Sequence, residues 1–182
     1  SSVGMFEHVG RANLPEYFET VNSLLKPGGM ALIHGITAGN TANLQVGAGM
    51  GDFIEKYIFP GGELMHVSAV LKDMAEAGLE MVDTENLRPH YARTLWAWSD
   101  TLEARLDEAR AVLVKQWDEE KADRVIKAYR LYLAGCAMGF EEGWTALHQM
   151  LCVRRDGNIH TGSITGAQSA YPFQRKYMYE AR

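Results

Sequence analysis

The chain has 182 residues, 47% apolar and 23% charged, with 18 Lys and Arg against 23 Asp and Glu for a net charge of −5. That is the composition of one globular domain with enough apolar residues for a core, and it excludes a disordered tail, a fibre and a low-complexity linker. The absence of a basic block argues against nucleic-acid binding, the two cysteines Cys136 and Cys152 suit a reducing, cytoplasmic setting rather than a disulfide scaffold, and no apolar run nears the roughly 20 residues that cross a bilayer.

Residues 1–10 (SSVGMFEHVG) stay small or apolar to Phe6 and turn polar at Glu7 and His8. They read as the end of a buried strand running into a loop. Such a strand rarely opens a domain, so a preceding portion is expected. Asn13 is expected to cap a helix, with Pro15 in the first turn and Glu16 three residues on. Leu14, Phe18, Val21 and Leu25 share one helical face, and the run from Lys26 to Gly29 ends it. Met30–Thr37 is a continuous apolar run, as in a strand covered on both faces. Residues 38–52 read as a loop, and Asp52–Phe59 as a short aromatic-rich piece closed by Pro60-Gly61-Gly62. Residues 67–77 predict a helix through Val67, Val70, Leu71 and Met74, stopped by Gly78, and Leu79–Val82 the next strand. This order predicts an α/β fold with a parallel sheet and crossover helices.

From His90 to Ala134 there is neither Gly nor Pro. Leu95, Trp98, Leu102, Leu106, Ala109, Leu113 and Trp117 form one apolar stripe. Ile126, Tyr129, Leu133, Cys136 and Phe140 form a second, after the charged break 118–123. Two long helices between about 90 and 142 are expected. Residues 144–153 predict a final edge strand, ending at Arg154-Arg155-Asp156-Gly157, and the polar tail from 158 predicts surface coil.

In open α/β sheets, ligands bind outside the carboxyl ends of the strands. Glu7 and His34 fall at two such ends on neighbouring strands, and a carboxylate beside an imidazole suits proton transfer or anion binding. The same residues serve equally well as a loop cap and a hydrogen-bonded core histidine. Tyr91, at the start of the first long helix, either packs or sends its phenol toward the same crevice. Cys136, beside Tyr132 and Phe140, reads by itself as a small hydrophobe. His8, His66, His148 and His160 lack metal-ligand spacing, so no metal site is expected. Neither a nucleophile elbow nor a P-loop motif occurs.

Six segments in register carry a family resemblance: Ser2–Gly10, Leu32–Thr37, Tyr57–Gly62, Glu85–Leu95, Tyr132–Cys136 with Phe140, and Gly166–Phe173. Together they resemble the C-terminal half of cyclopropane-fatty-acyl-phospholipid synthases, including the mycolic acid cyclopropane synthases. The resemblance implies the C-terminal part of a Rossmann-like class I S-adenosylmethionine-dependent methyltransferase, with a long-helix lipid-binding region. This part spans residues 1–157, followed by a tail over 158–182, with the N-terminal cofactor-binding half absent. The implied activity is methylene transfer from S-adenosylmethionine to a cis double bond of phospholipid acyl chains, through a carbocation deprotonated by bound bicarbonate.

Matched by motif, the implied bicarbonate ligands are Glu7, His34, the backbone at Ile36, and Tyr91. Glu7, Tyr91 and Cys136 are the implied catalytic residues, and Leu95, Trp98, Tyr132, Cys136 and Phe140 line the implied acyl-chain pocket. The family's nucleotide-binding glycine motif is missing. Val46–Gly51 is the one Gly-rich stretch, and it lacks a strand-then-helix context. The chain alone is therefore expected to bind S-adenosylmethionine poorly and to work with an N-terminal half or as a homo-oligomer. The implied setting is cytoplasmic, in peripheral contact with the inner face of the membrane. Two alternatives carry different chemistry: a relative that adds a plain methyl group without ring closure, and a non-catalytic lipid-binding module.

Overall fold

A computed structural model of the chain describes residues 1–42 and 49–157. The expected tail from 158, with His160 and the Gly166–Phe173 match, lies outside the described residues. Four strands, β1 (Ser2–Val3), β2 (Met30–Ala38), β3 (Leu79–Asn86) and β4 (Thr145–Arg154), form one sheet in the order β1-β2-β4-β3. Six α-helices accompany them: α1 (Leu14–Leu24), α2 (Met50–Tyr57), α3 (Val67–Glu76), α4 (Arg88–Ala104), α5 (Leu106–Leu113) and α6 (Glu119–Glu141).

Because side chains alternate along a strand, β2 sends Ala31, Ile33, Gly35 and Thr37 to one face and Leu32, His34 and Ile36 to the other. The first face packs Ile33 with Phe6, Leu14, Phe18, Val70, Met74 and Met150 under α1 and α3. On the second face Ile36 and Leu147 meet Ala92, Leu95, Leu133, Ala137 and Phe140 from α4 and α6. The result is an α/β layered fold with a core on each side of the sheet. Both continuous apolar runs are explained by this arrangement, since β2 and β4 are covered twice.

Several expectations need correction. The sheet is mixed: β1 pairs with β2 in parallel, whereas β4 runs antiparallel to both β2 and β3. The expected final edge strand is thus an interior one, with Ile36 opposite Leu147 and Glu85 opposite Gln149. The opening strand is only two residues long, and Val3 is exposed. Asn13 does not cap α1 with its side chain. Its Nδ2 instead donates to the Val9 carbonyl at 2.6 Å, because residues 11–13 already form a 3₁₀ turn. The loop expected over 38–52 gives way to α2 at Met50, preceded by Gly49 at φ +74°, so a helix does follow the Gly-rich stretch; Val46–Ala48 lie outside the described residues. β3 continues to Asn86, beyond the expected Val82.

The first long helix is broken at Arg105, which leaves helical geometry at φ −130°, ψ 32°. Its guanidinium then pairs with Glu108 in the next helix. The charged segment at 118–123 is not a break but a start. Asp118 accepts a hydrogen bond from the Lys121 amide at 2.8 Å and so caps α6.

The buried pair on the first face is Thr37 and His148, whose Oγ1 and Nδ1 lie 2.8 Å apart. Burial, with a smaller contribution from the charge of His66, pulls the His148 pKa below its ordinary value. The fold therefore favours neutral imidazole. Its stabilisation is complete above the unfolded value of about 6.5 and is lost as pH falls through the lower folded value. Urea midpoints should fall between pH 7 and pH 5, and the His148→Gln variant should show a shallower fall. An identical pH dependence in that variant would contradict the assignment.

Candidate active site

The site begins with an unfinished strand pair. β1 ends at Val3, and Gly4, at φ +62°, makes the last backbone contact, donating its N–H to the His34 carbonyl at 2.8 Å. The next donor along that edge of β2 is the Ile36 N–H, and a buried N–H without a partner is costly. Phe6–His8 forms a 3₁₀ turn that brings Glu7 back against this edge. Its Oε1 accepts the Ile36 N–H at 3.2 Å.

Glu7 is only 5% exposed, and its second oxygen, Oε2, is buried with no hydrogen-bond partner among the described residues. This carboxylate fits only because residue 35 is glycine. A Cβ there would lie 2.6 Å from Glu7 Oε2 and 2.5 Å from the Phe6 ring.

Tyr91 reaches the same region from α4. Pro89 sits in that helix's first turn. Arg88 donates from Nη1 to the carbonyls of Phe140 (2.5 Å) and Glu141 (2.8 Å), which clamps the start of α4 to the end of α6. Tyr91 then stands edge-on to Phe140, with ring centroids 5.0 Å apart, and edge-on to Trp98 at 6.2 Å. Burial, then the neighbouring Cys136, then the charge of Glu7 raise the Tyr91 pKa. The phenol is a proton donor at neutral pH, close enough to feel the Glu7 carboxylate.

One turn of α6 separates Tyr132 from Cys136, so the two side chains meet. Burial pushes the Cys136 thiol up to about 12, only partly offset by its hydrogen bond with Tyr132. It is thus a neutral thiol at physiological pH rather than a thiolate. Tyr132 is also raised, mainly by burial, and its ring meets Phe59 edge-on at 6.0 Å.

Of the residues singled out from sequence, the structure brings Glu7, Ile36, Tyr91, Tyr132, Cys136 and Phe140 into one neighbourhood. His34 is half-buried and stands two residues before Ile36 on the same face of β2, opposite Gln149. Leu95 is fully buried in the core formed with Leu133 and Phe140, whereas Trp98 is half exposed at the far side of Tyr91.

Three participants escape sequence reasoning: Gly35, Phe6 and Arg88. Gly35 carries a legible signal, since a glycine inside an apolar strand marks a close backbone approach. Among the described residues no group of His, Cys, Asp and Glu could hold a metal ion. The arrangement brings together a buried carboxylate oxygen without a hydrogen-bond partner among the described residues, protonated phenols, a neutral thiol and several aromatic rings. These groups offer hydrogen bonds and apolar contacts side by side.

Comparison with known proteins places these residues in context. Residues 1–150 match the family described as mycolic acid cyclopropane synthetase. A probable fatty acid methyltransferase of Pseudomonas putida is 48% identical over 159 residues, covering 87% of this chain and 38% of that protein. The solved structure of the cyclopropane synthase MmaA2 from Mycobacterium tuberculosis superposes with a TM-score of 0.75 at 31% identity, over 84% of this chain and 53% of that one. The mycolic acid cyclopropane synthase CmaA1, solved with SAH and CTAB, gives 0.73 at 31% identity, again over 84% and 53%. The chain thus spans about a third to a half of the length of such relatives.

Gly35→Ala should cost about 1–3 kcal/mol, the usual cost of forcing extra volume into a packed site, because neither the Phe6 ring nor the Glu7 carboxylate can yield without leaving the edge of β2. Urea denaturation checks this, and an unchanged midpoint would contradict the close approach.

Proposed function

Because the chain belongs to the mycolic acid cyclopropane synthetase family and has the class I methyltransferase fold, we propose that it forms the acyl-chain and base-binding part of an S-adenosylmethionine-dependent enzyme. Its substrate is the cis double bond of unsaturated phospholipid acyl chains, and its product carries a cyclopropane ring. The observation that carries the reading is Oε2 of Glu7, buried without a hydrogen-bond partner among the described residues.

The methyl donor's nucleoside needs a glycine-rich strand–turn–helix, which the described residues do not supply. Gly49 opens α2, but residues 39–49 separate it from β2. We therefore place donor binding outside residues 1–157, and residues 158–182 are assigned no role in it. In the overall reaction the alkene π electrons form a bond to the donor methyl as its C–S bond breaks. Positive charge is left on the acyl chain, and loss of a proton from the new methyl group closes the ring.

The residues of this chain set the conditions for that last step. The unpartnered Glu7 Oε2 is the observation that suits bicarbonate, which when bound would supply a small base for the methyl proton. Glu7 holds Oε1 on the Ile36 amide and leaves Oε2 to share a proton with such an ion, since two adjacent bare anions repel. Tyr91 donates from its phenol and His34 from its imidazole, and the Ile36 amide supports the ion through Glu7. Phe140 and Tyr132 present ring faces that favour a passing cation by roughly 0.5–2 kcal/mol. Cys136 lines the chain's path as a neutral thiol, and Trp98 extends that wall beyond Tyr91, with Leu95 buried behind it. Exclusion of water keeps the cation from being trapped as an alcohol.

The fatty acid methyltransferase of Pseudomonas putida supports the coarser reading, methyl transfer to an acyl chain, and keeps simple methylation as the second reading. Donor carrying a trideuterated methyl separates the two: the ring product has lost one deuteron that a methyl branch keeps. Glu7→Gln in the full-length protein should lower kcat by a factor on the order of 10²–10⁴, the usual worth of positioned proton transfer, with the KM for lipid little changed. A rate within a few-fold of wild type would remove Glu7 from the mechanism.

A further inference from the structure

The helices beside this site carry a second feature that methyl transfer does not use. α2 and α6 enclose an open groove of about 700 Å³. Its apolar surface includes Phe53, Tyr57 and Leu131, and its cations are Lys121, Arg124 and Lys127. Among the described residues none that lines it is acidic, in a chain whose net charge is −5. Arg124 is shared with Glu120 at 3.3 Å, an exposed pair of little strength. Tyr57 is 61% exposed and Leu131 53% exposed, so apolar atoms and ammonium groups face solvent side by side. Lys56 lies over the Tyr57 ring at 5.2 Å, and Lys121 over Trp117 at 4.9 Å. Apolar surface flanked by Lys and Arg is the composition of a surface that lies on anionic lipid.

The groove is also continuous with the site. Leu131 immediately precedes Tyr132, whose ring touches Phe59 and whose hydroxyl meets Cys136. Lys127 stands nine positions, about two and a half turns, before Cys136, so it lies on the opposite side of α6 and takes no part in the site. α2 approaches α6 closely where a Cβ on Gly135 would sit 2.5 Å from Met50 Cε. A bilayer lying on the groove therefore sets its acyl boundary against Tyr57 and Leu131, next to Tyr132. An acidic protein would satisfy the cations but would leave that continuity without a use.

We propose that the α2–α6 groove docks the protein on an anionic phospholipid bilayer, with Lys121, Arg124 and Lys127 on the headgroups and Tyr57 and Leu131 against the acyl boundary. The proposal rests on the acyl-lipid reading above and names the surface by which such lipid is reached.

The test is sedimentation of the full-length protein with vesicles of phosphatidylcholine alone, and of equal parts phosphatidylcholine and phosphatidylglycerol. Each cation near such a surface is worth roughly five-fold in binding, so Lys121→Gln with Lys127→Gln should weaken binding to the mixed vesicles on the order of 25-fold. Both lysines are exposed on a helix that tolerates glutamine, and unchanged circular dichroism checks the fold. Turnover of the double variant on detergent-dispersed unsaturated phospholipid should equal that of wild type. Equal binding by variant and wild type, or no preference of wild type for the mixed vesicles, overturns the proposal. So does a defect confined to acyl chains presented on a soluble acidic protein. Sedimentation needs no turnover, so a protein that binds mixed vesicles through these lysines but transfers no methyl group refutes the catalytic reading and leaves the docking surface standing.

Discussion

The carboxylate of Glu7 sits where β2 loses its parallel neighbour, and much of the site follows from that placement. After Gly4 the strand edge would expose the Ile36 N–H in a buried position, and Oε1 of Glu7 takes it up. Closing one unsatisfied group opens another. Oε2 is turned into a space with no hydrogen-bond partner among the described residues, above a strand position that only glycine can occupy. Leaving a buried carboxylate oxygen unpaired costs about 1–3 kcal/mol or more. Such a cost is typical of a site whose partner arrives with the ligand.

The helices on the two faces of the sheet turn this local feature into a two-sided one. Because α1 and α3 pack on one face of the sheet and α4 and α6 on the other, the strand carrying His34, Gly35 and Ile36 is covered on both faces. One face carries the compact core under α1 and α3, which fixes Phe6 and, with it, the turn that presents Glu7. The other face meets α4 and α6, which bring Tyr91, Tyr132, Cys136 and Phe140. Arg88 holds those two helices together at the end nearest the site, and the Arg130 guanidinium pairs with Glu103 farther along. Chemistry at the Glu7 edge and apolar packing along α6 thus share one frame. The groove at the start of α6 lies on the same helix.

How much of this is legible in the sequence depends on the range of the interaction. β2 and α3 follow from local patterns, a continuous apolar run and a 3.6-residue stripe, and both are where those patterns put them. The position of β4 is not local. Its run is interrupted by His148 and Gln149, which suggests an edge, yet His148 is buried by its bond to Thr37, 111 residues away in sequence. The break at Arg105 has no glycine or proline to announce it; ion pairs of Arg105 with Glu108, and of Arg110 with Glu119 and Asp123, accompany the turn into α5 and toward α6. Asn13 had the residue type of a cap, but a preceding 3₁₀ turn claimed its side chain. At the site, Glu7, His34, Tyr91 and Cys136 were identifiable by motif. Their electrostatic character was not, since the neutral state of Cys136 and the orphaned oxygen of Glu7 both come from burial by distant segments.

The central claim is that Glu7 Oε2 completes its hydrogen bonding with a small proton-bearing anion held beside His34 and Tyr91. The direct measurement is carbon-13 NMR of labelled bicarbonate titrated into the full-length protein and its Glu7→Ala variant, without lipid or methyl donor. The expected result is a distinct bound resonance in the wild type that is absent from the variant at the same concentrations. A bound resonance of equal intensity and position in the variant, or none in the wild type, would contradict the account.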